Sequence, residues 1–214
     1  MISRRSALTG ILSLTILPRS ALADARRISA EPWADKLIAA AVAQIGVTLS
    51  YDPAYRRIKF PGGDVPRTSG VCTDVIIRAY RDAFGIDLQR EVNSDMKRNF
   101  SAYPSNWGMT RADCNIDHRR VPNLRAFFRR KGAELQVSDD PSQYRPGDIV
   151  TQNLPGNLAH IGLVSSSLNA DKLRLLVIHN IGGGAQIEDT LFAFEITGRY
   201  RFPAWGVAAH APLN

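Results

Sequence analysis

Cys72 stands just ahead of an apolar run, Val75, Ile76, Ala79, Tyr80 and Ala83, recurring at helical spacing and closed by Gly85. The spacing predicts a helix with the thiol in its first turn. A thiol attacks as its thiolate, and the free N–H groups and aligned peptide dipoles of a helix N-terminus favour that anion. The same N–H groups can face the oxyanion that forms when a thiol adds to a carbonyl. A cysteine on an apolar stripe is also a common packing residue, so the chemistry needs a partner. His160 supplies one, opening the strand-like His160-Ile161-Gly162-Leu163-Val164 soon after Pro146-Gly147-Asp148-Ile149-Val150. An imidazole at a strand's end can reach a helix N-terminus and act there as general base. A third group must orient the imidazole, and the apolar segment 175–178 ends in His179 and Asn180. Alternation puts these two on opposite faces; His179 is the first choice and Asn180 the alternative.

These residues need elements to position them. Trp33, Leu37, Ile38, Ala41, Val42 and Ile45 predict a helix over 32–45, with Pro32 in its first turn and Gly46 as its stop. Residues 50–70, rich in Pro, Gly, Asp and Arg, predict an irregular segment that carries Tyr51 and Tyr55 into the Cys72 helix. Further helices are expected over 91–103 and over 122–131, the latter opened by Pro122 and closed by Gly132. After Gly132 the pattern turns to short strands over 134–137, 148–152, 160–165, 173–179 and 199–202, separated by Pro-Gly and Gly-Gly turns. Helices first and strands second indicate an α+β domain, its helices packed on an antiparallel sheet. No repeat or linker divides residues 24–214.

The 214 residues, 44% hydrophobic and 22% charged, have the composition of one globular domain rather than of a disordered chain. Arg4 and Arg5, the apolar run 7–17 and Ala21-Leu22-Ala23 follow the order of a secretory signal cleaved after Ala23. The expected location is periplasmic or secreted, and Ser3-Arg4-Arg5 loosely resembles a twin-arginine signal. No later segment approaches the roughly 20 consecutive apolar residues of a membrane span. Removing residues 1–23, with Arg4, Arg5 and Arg19 and no acid, lowers the net charge from +7 to +4, a mild excess that suits an anionic envelope polymer. Arg119-Arg120 and Arg129-Arg130-Lys131 sit in no aromatic-rich motif, which excludes nucleic-acid binding. Cys114 raises a disulfide with Cys72 as an alternative, because the signal implies an oxidising compartment. Cys114 and His118, one helical turn apart, lack further ligands at metal spacing, so neither a metal nor another cofactor is expected. Asp117, Arg119 and Arg120 either bind a substrate carboxylate through guanidinium forks or brace the cleft, the second being preferred.

Cys72 opening a helix, then Pro-Gly-Asp-Ile-Val, then His-Ile-Gly-Leu-Val and Val-Ile-His resembles the core of the NlpC-type papain-like superfamily of bacterial cell-wall peptidases and amidases. Three longer runs are similar to the domain-of-unknown-function family 1287: Gly70-Val71-Cys72-Thr73-Asp74-Val75, Asn115 through Leu124, and Ile178-His179-Asn180-Ile181-Gly182. The resemblance implies a papain-like fold with Cys72, His160 and His179 as nucleophile, base and orienter. Asp74, Asp117, Arg119, Arg120 and Asn180 are the further candidate substrate-binding residues. Superfamily members often carry a tyrosine closer to the cysteine, so Tyr51 and Tyr55 both stand as oxyanion donors. The expected activity is hydrolysis of an amide in the peptide part of peptidoglycan or another envelope substrate. An acyltransferase or lipid hydrolase, or a non-catalytic envelope-binding module, are the alternatives. The sequence leaves the oligomeric state open.

Overall fold

The computed structural model describes residues 27–203; the expected signal sequence and the expected cleavage after Ala23 lie outside the described residues. The helices come first: α1 (Pro32–Val42), α2 (Cys72–Phe84), α3 (Leu88–Arg98) and α4 (Val121–Arg130). Two short strands, β1 (Ser50–Tyr51) and β2 (Ser69–Gly70), pair in parallel just ahead of α2, inside the segment expected to be irregular. The remaining strands are β3 (Glu134–Leu135), β4 (Ile149–Leu154), β5 (Leu158–Leu168), β6 (Leu175–Asn180), β7 (Ala185–Glu188) and β8 (Glu195–Tyr200). They form one antiparallel sheet in the order β3-β8-β4-β5-β6-β7. The expected α+β architecture, helices on a C-terminal antiparallel sheet, is therefore the observed one.

Strand alternation separates two apolar clusters. Ile149, Ile161, Leu163 and Ile178 join the helices in the larger core, with Leu37, Val75, Ile76, Tyr80, Phe127 and Phe128. Their neighbours Val150, Val164 and Val177 face the smaller cluster, with Tyr144 and Leu191. Each fully buried aliphatic or aromatic side chain contributes roughly 1.5–3 kcal/mol, so the larger cluster fixes how α2 lies on the sheet. The first nine residues of α2, Cys72 to Tyr80, are all buried, not only its apolar stripe. Gly85 ends the helix in the left-handed conformation at φ 69°, which a glycine adopts without a Cβ clash. The Tyr80 hydroxyl donates to the Phe202 carbonyl and pins α2 to the chain after β8.

Several boundaries differ from expectation: α1 stops at Val42 rather than at 45, β3 at Leu135 rather than at 137, β6 runs Leu175–Asn180 rather than 173–179, and β8 runs Glu195–Tyr200 rather than 199–202. The third helix starts at Leu88 rather than at residue 91, because the Asp87 side chain caps it by accepting the Gln89 N–H at 3.2 Å. His160 is the third residue of β5, not its first. The hairpin strand β7 was not anticipated at all, being four residues long behind a run of three glycines.

Candidate active site

Cys72 is the first residue of α2, and Val71, extended at φ −108° and ψ 178°, is its N-cap. Valine offers no side-chain acceptor, so the cap is one-sided: the Asp74 carboxylate takes the Val71 N–H at 2.7 Å. The thiol is 3% exposed. The Tyr51 hydroxyl lies 3.9 Å from Sγ, and the backbone of Ile161 and of Thr73 also hydrogen-bonds it. Burial pushes the thiol up to about 11, outweighing the Ile161, Tyr51 and Thr73 bonds that favour the thiolate, and Asp74 adds to the rise. The helix N-terminus was expected to hold a thiolate. In this environment burial wins, and the resting group is the thiol.

The thiol meets β5 at the Ile161 backbone, one residue from His160. On that strand His160, Gly162 and Val164 alternate onto one face, and His179 shares it with Val177 on β6. Gly162 makes room there: a Cβ on it would collide with Val177 Cγ1 and come within 3.3 Å of His179 Cβ. The His179 ring leans toward His160, with centroids 5.0 Å apart and His160 Nε2 2.8 Å from His179 Nδ1. Desolvation holds His160 down to about 3, aided by His179, so its imidazole is neutral. Desolvation lowers His179 as well, opposed by Glu188, whose Oε2 lies 2.8 Å from His179 Nε2. Cys72 packs with Ile161 on the helix side of the sheet, whereas His160 and His179 stand on the other face with Val164 and Val177. The imidazole is bonded to His179 and the sulfur to Tyr51 and backbone, and no hydrogen bond joins thiol and imidazole among the described residues.

Of the two tyrosines, Tyr51 is beside the thiol. Tyr55 is turned away, donating to Asp113 Oδ2 at 3.0 Å and accepting from Asn115 Nδ2 at 3.1 Å. The other candidate substrate-binding residues are engaged inside the protein instead. Asp74 and Arg119 form a buried ion pair, Nη2 to Oδ2 2.9 Å, with side chains 4% and 2% exposed. Arg119 also donates to the Asp52 and Ala54 carbonyls, and its own carbonyl accepts from the Thr73 hydroxyl. That network ties the 52–54 loop to the first turn of α2. Asp117 accepts the Asp113 N–H at 2.5 Å and pairs with Arg120 at 3.1 Å, while the Arg120 guanidinium lies 4.1 Å from the Trp107 ring centre. Asn180 donates to the carbonyls of Ser50 and Gly70, holding β1 and β2 against the end of β6. It faces away from the imidazoles, so His179 alone has the position of orienter. Cys72 and Cys114 are both free thiols. Among the described residues there is no cluster of three or more groups able to hold a metal, and no helix long and apolar enough to cross a membrane.

The sequence reading gave Glu188 no part, although it ends the chain of bonds that starts at His160. The only sequence signal for it was the alternation Ala185-Gln186-Ile187-Glu188 after the glycine run, which marks a hairpin partner of β6.

The model of the domain of unknown function DUF1287 matches residues 38–202. A protein of Escherichia coli (strain K12), described as "Uncharacterized protein YijF", is 53% identical over 159 residues, covering 74% of this chain and 77% of its own. A solved structure, that of NlpC1 from Trichomonas vaginalis, aligns over 83% of this chain with 13% identity and a TM-score of 0.43; the chain spans 46% of that protein's length. On the family match, which takes in α2, β5, β6 and β7 together, the chain belongs to the DUF1287 family.

Proposed function

We propose that this protein is an exported cysteine hydrolase that cleaves an amide in the peptide part of peptidoglycan. One observation carries the reading: a buried thiol in the first turn of α2, contacted by Tyr51 and by the backbone of Ile161, the residue that follows His160, whose imidazole is already oriented by a second histidine. Both reacting groups rest neutral, so the thiol proton passes to His160 Nδ1 as the S–C bond forms. This requires Nδ1 to close on Sγ in the substrate complex, where catalytic hydrogen bonds commonly tighten. The carbonyl oxygen then takes the negative charge, facing the Cys72 N–H, which has no intrahelical acceptor in the first turn, and the Tyr51 hydroxyl. Collapse expels the amine with the proton from His160, and water, deprotonated by the same ring, hydrolyses the thioester.

A second reading, hydrolysis or transfer of a lipid acyl group, is favoured by the apolar residues beside the site. Leu49, Leu158 and Ile181 each lie two residues from Tyr51, His160 or His179, and are 64%, 63% and 37% exposed. Incubating the purified protein separately with muropeptides and with acylated lipids, and reading products by mass spectrometry, decides between them. Consumption of muropeptides supports the first reading. Turnover of lipid alone supports the second, and no product from either, at any pH, leaves a non-catalytic envelope-binding module.

A further inference from the structure

We infer that Glu188 is a positioning residue: acting through His179, it sets which ring nitrogens carry protons and leaves His160 Nδ1 as the open acceptor. The bond geometry is fixed by β7. Gln186 pairs with His179 and Glu188 with Val177, so Glu188 stands diagonally across from His179 on the imidazole face, while Ile187 packs toward the main core. Diagonal neighbours on adjacent strands lie within reach of long side chains. Glu188 Oε2 is 2.8 Å from His179 Nε2, and His179 Nδ1 is 2.8 Å from His160 Nε2.

The direction of the chain follows from donor and acceptor counting. An ionised carboxylate only accepts, so His179 Nε2 must carry the hydrogen. A neutral His179 then has a bare Nδ1, which must accept, so His160 Nε2 carries the second hydrogen. A neutral His160 with its proton on Nε2 has a bare Nδ1. That is the nitrogen able to take a proton from a thiol. Burial, which holds both imidazoles below their ordinary value, keeps each ring singly protonated at neutral pH and preserves the argument. Without a carboxylate at 188, either tautomer of the pair satisfies the His160–His179 bond, and half of the arrangements block the base.

The use of this polarity in catalysis rests on the hydrolase reading, but the polarity is measurable without a substrate. The test is long-range proton–nitrogen NMR of the full chain labelled with nitrogen-15 histidine at pH 7.5, assigned with single His→Gln variants. Wild type should show His160 and His179 each as one species protonated on Nε2. Glu188→Gln should retain that state, because the amide oxygen still accepts. Glu188→Lys, a donor with no acceptor, should reverse both rings to Nδ1–H; a side chain 41% exposed tolerates the change, and circular dichroism checks the fold. If wild type carries the proton on His160 Nδ1, or if Glu188→Lys leaves both rings unmoved, the inference is overturned. Where wild type turns over substrate, Glu188→Lys should lower kcat by about 10²–10⁴-fold with KM unchanged, and Glu188→Gln should restore most of it. Reversed tautomers in a protein with no hydrolytic activity would refute the hydrolase reading and leave the role of Glu188 standing.

Discussion

At Cys72 two physical effects oppose each other: the first turn of a helix favours a thiolate, while removal from water favours the neutral thiol. The thiol held near 11 and His160 near 3 show which dominates, since an ion pair between them would require the opposite order. The proposed reaction is then one of general-base attack rather than of a standing thiolate–imidazolium pair. Alkylation of Cys72 by iodoacetamide should accordingly be slow at neutral pH and climb steadily beyond pH 9, because the thiolate fraction grows with each pH unit. A fast, pH-independent rate between pH 6 and 8 would refute it. In turnover assays on the substrate that is consumed, Cys72→Ser should abolish activity with the fold intact, and His160→Ala should be nearly as damaging. His179→Gln should retain more activity than His179→Ala, since its amide oxygen can still accept the proton on His160 Nε2. Cys114→Ser should be close to silent. Activity lost in Cys114→Ser but kept in Cys72→Ser would reassign the nucleophile.

At the scale of elements, what the sequence made legible is what long periodic segments carry. The helix of Cys72 and the strands of His160 and His179 stand in such segments, with glycine or short polar turns marking their ends. By contrast β7 is four residues long, too short to show a period, and with it Glu188 went unread. The bracing partners were illegible for another reason: a polar side chain's partner depends on what folding brings near it. Asn180 bonds Ser50 across 130 residues of sequence, and Arg119 bonds Asp74 across 45. The Asp74–Arg119 pair gives the clearest element-level expectation. Arg119→Ala leaves a buried carboxylate unpaired, at a cost of about 3–5 kcal/mol by analogy with other broken buried pairs. It also frees the 52–54 loop next to Tyr51. Urea unfolding should show the loss as a shifted midpoint, whereas a midpoint shift under about 0.5 kcal/mol, the size of a neutral surface change, would mean the pair braces nothing.

For the whole molecule, the first expectation is export: the mature chain should begin near Asp24 and be found in the envelope or outside the cell, as N-terminal sequencing of fractionated protein would show. A chain starting at Met1 in the cytoplasm would remove the peptidoglycan substrate. The second is how stability depends on pH, which follows from buried histidines spread across the domain. His118, wedged by the 3-10 turn Asp117–Arg119 with its Nδ1 buried and unpartnered, is held down to about 3 by burial and by Arg119, much as His160 is by burial and His179. A histidine whose folded value lies below its unfolded 6.5 binds a proton more readily once unfolded. Its contribution is therefore complete above pH 6.5 and drains away as pH falls toward 3, by at most about 1.4 kcal/mol per pH unit for each such group. Ion-paired carboxylates such as Asp82, held down by Arg67, add their loss only below about 4, so the histidines govern the upper part of the acid limb. Urea midpoints measured from pH 7.5 to 4.5 should stay level to about 6.5 and then fall, and His118→Gln should reduce the slope without removing it, because His160 remains. A midpoint independent of pH across that range would show that neither imidazole is held neutral by the fold, and would remove the protonation states on which the proposed attack depends.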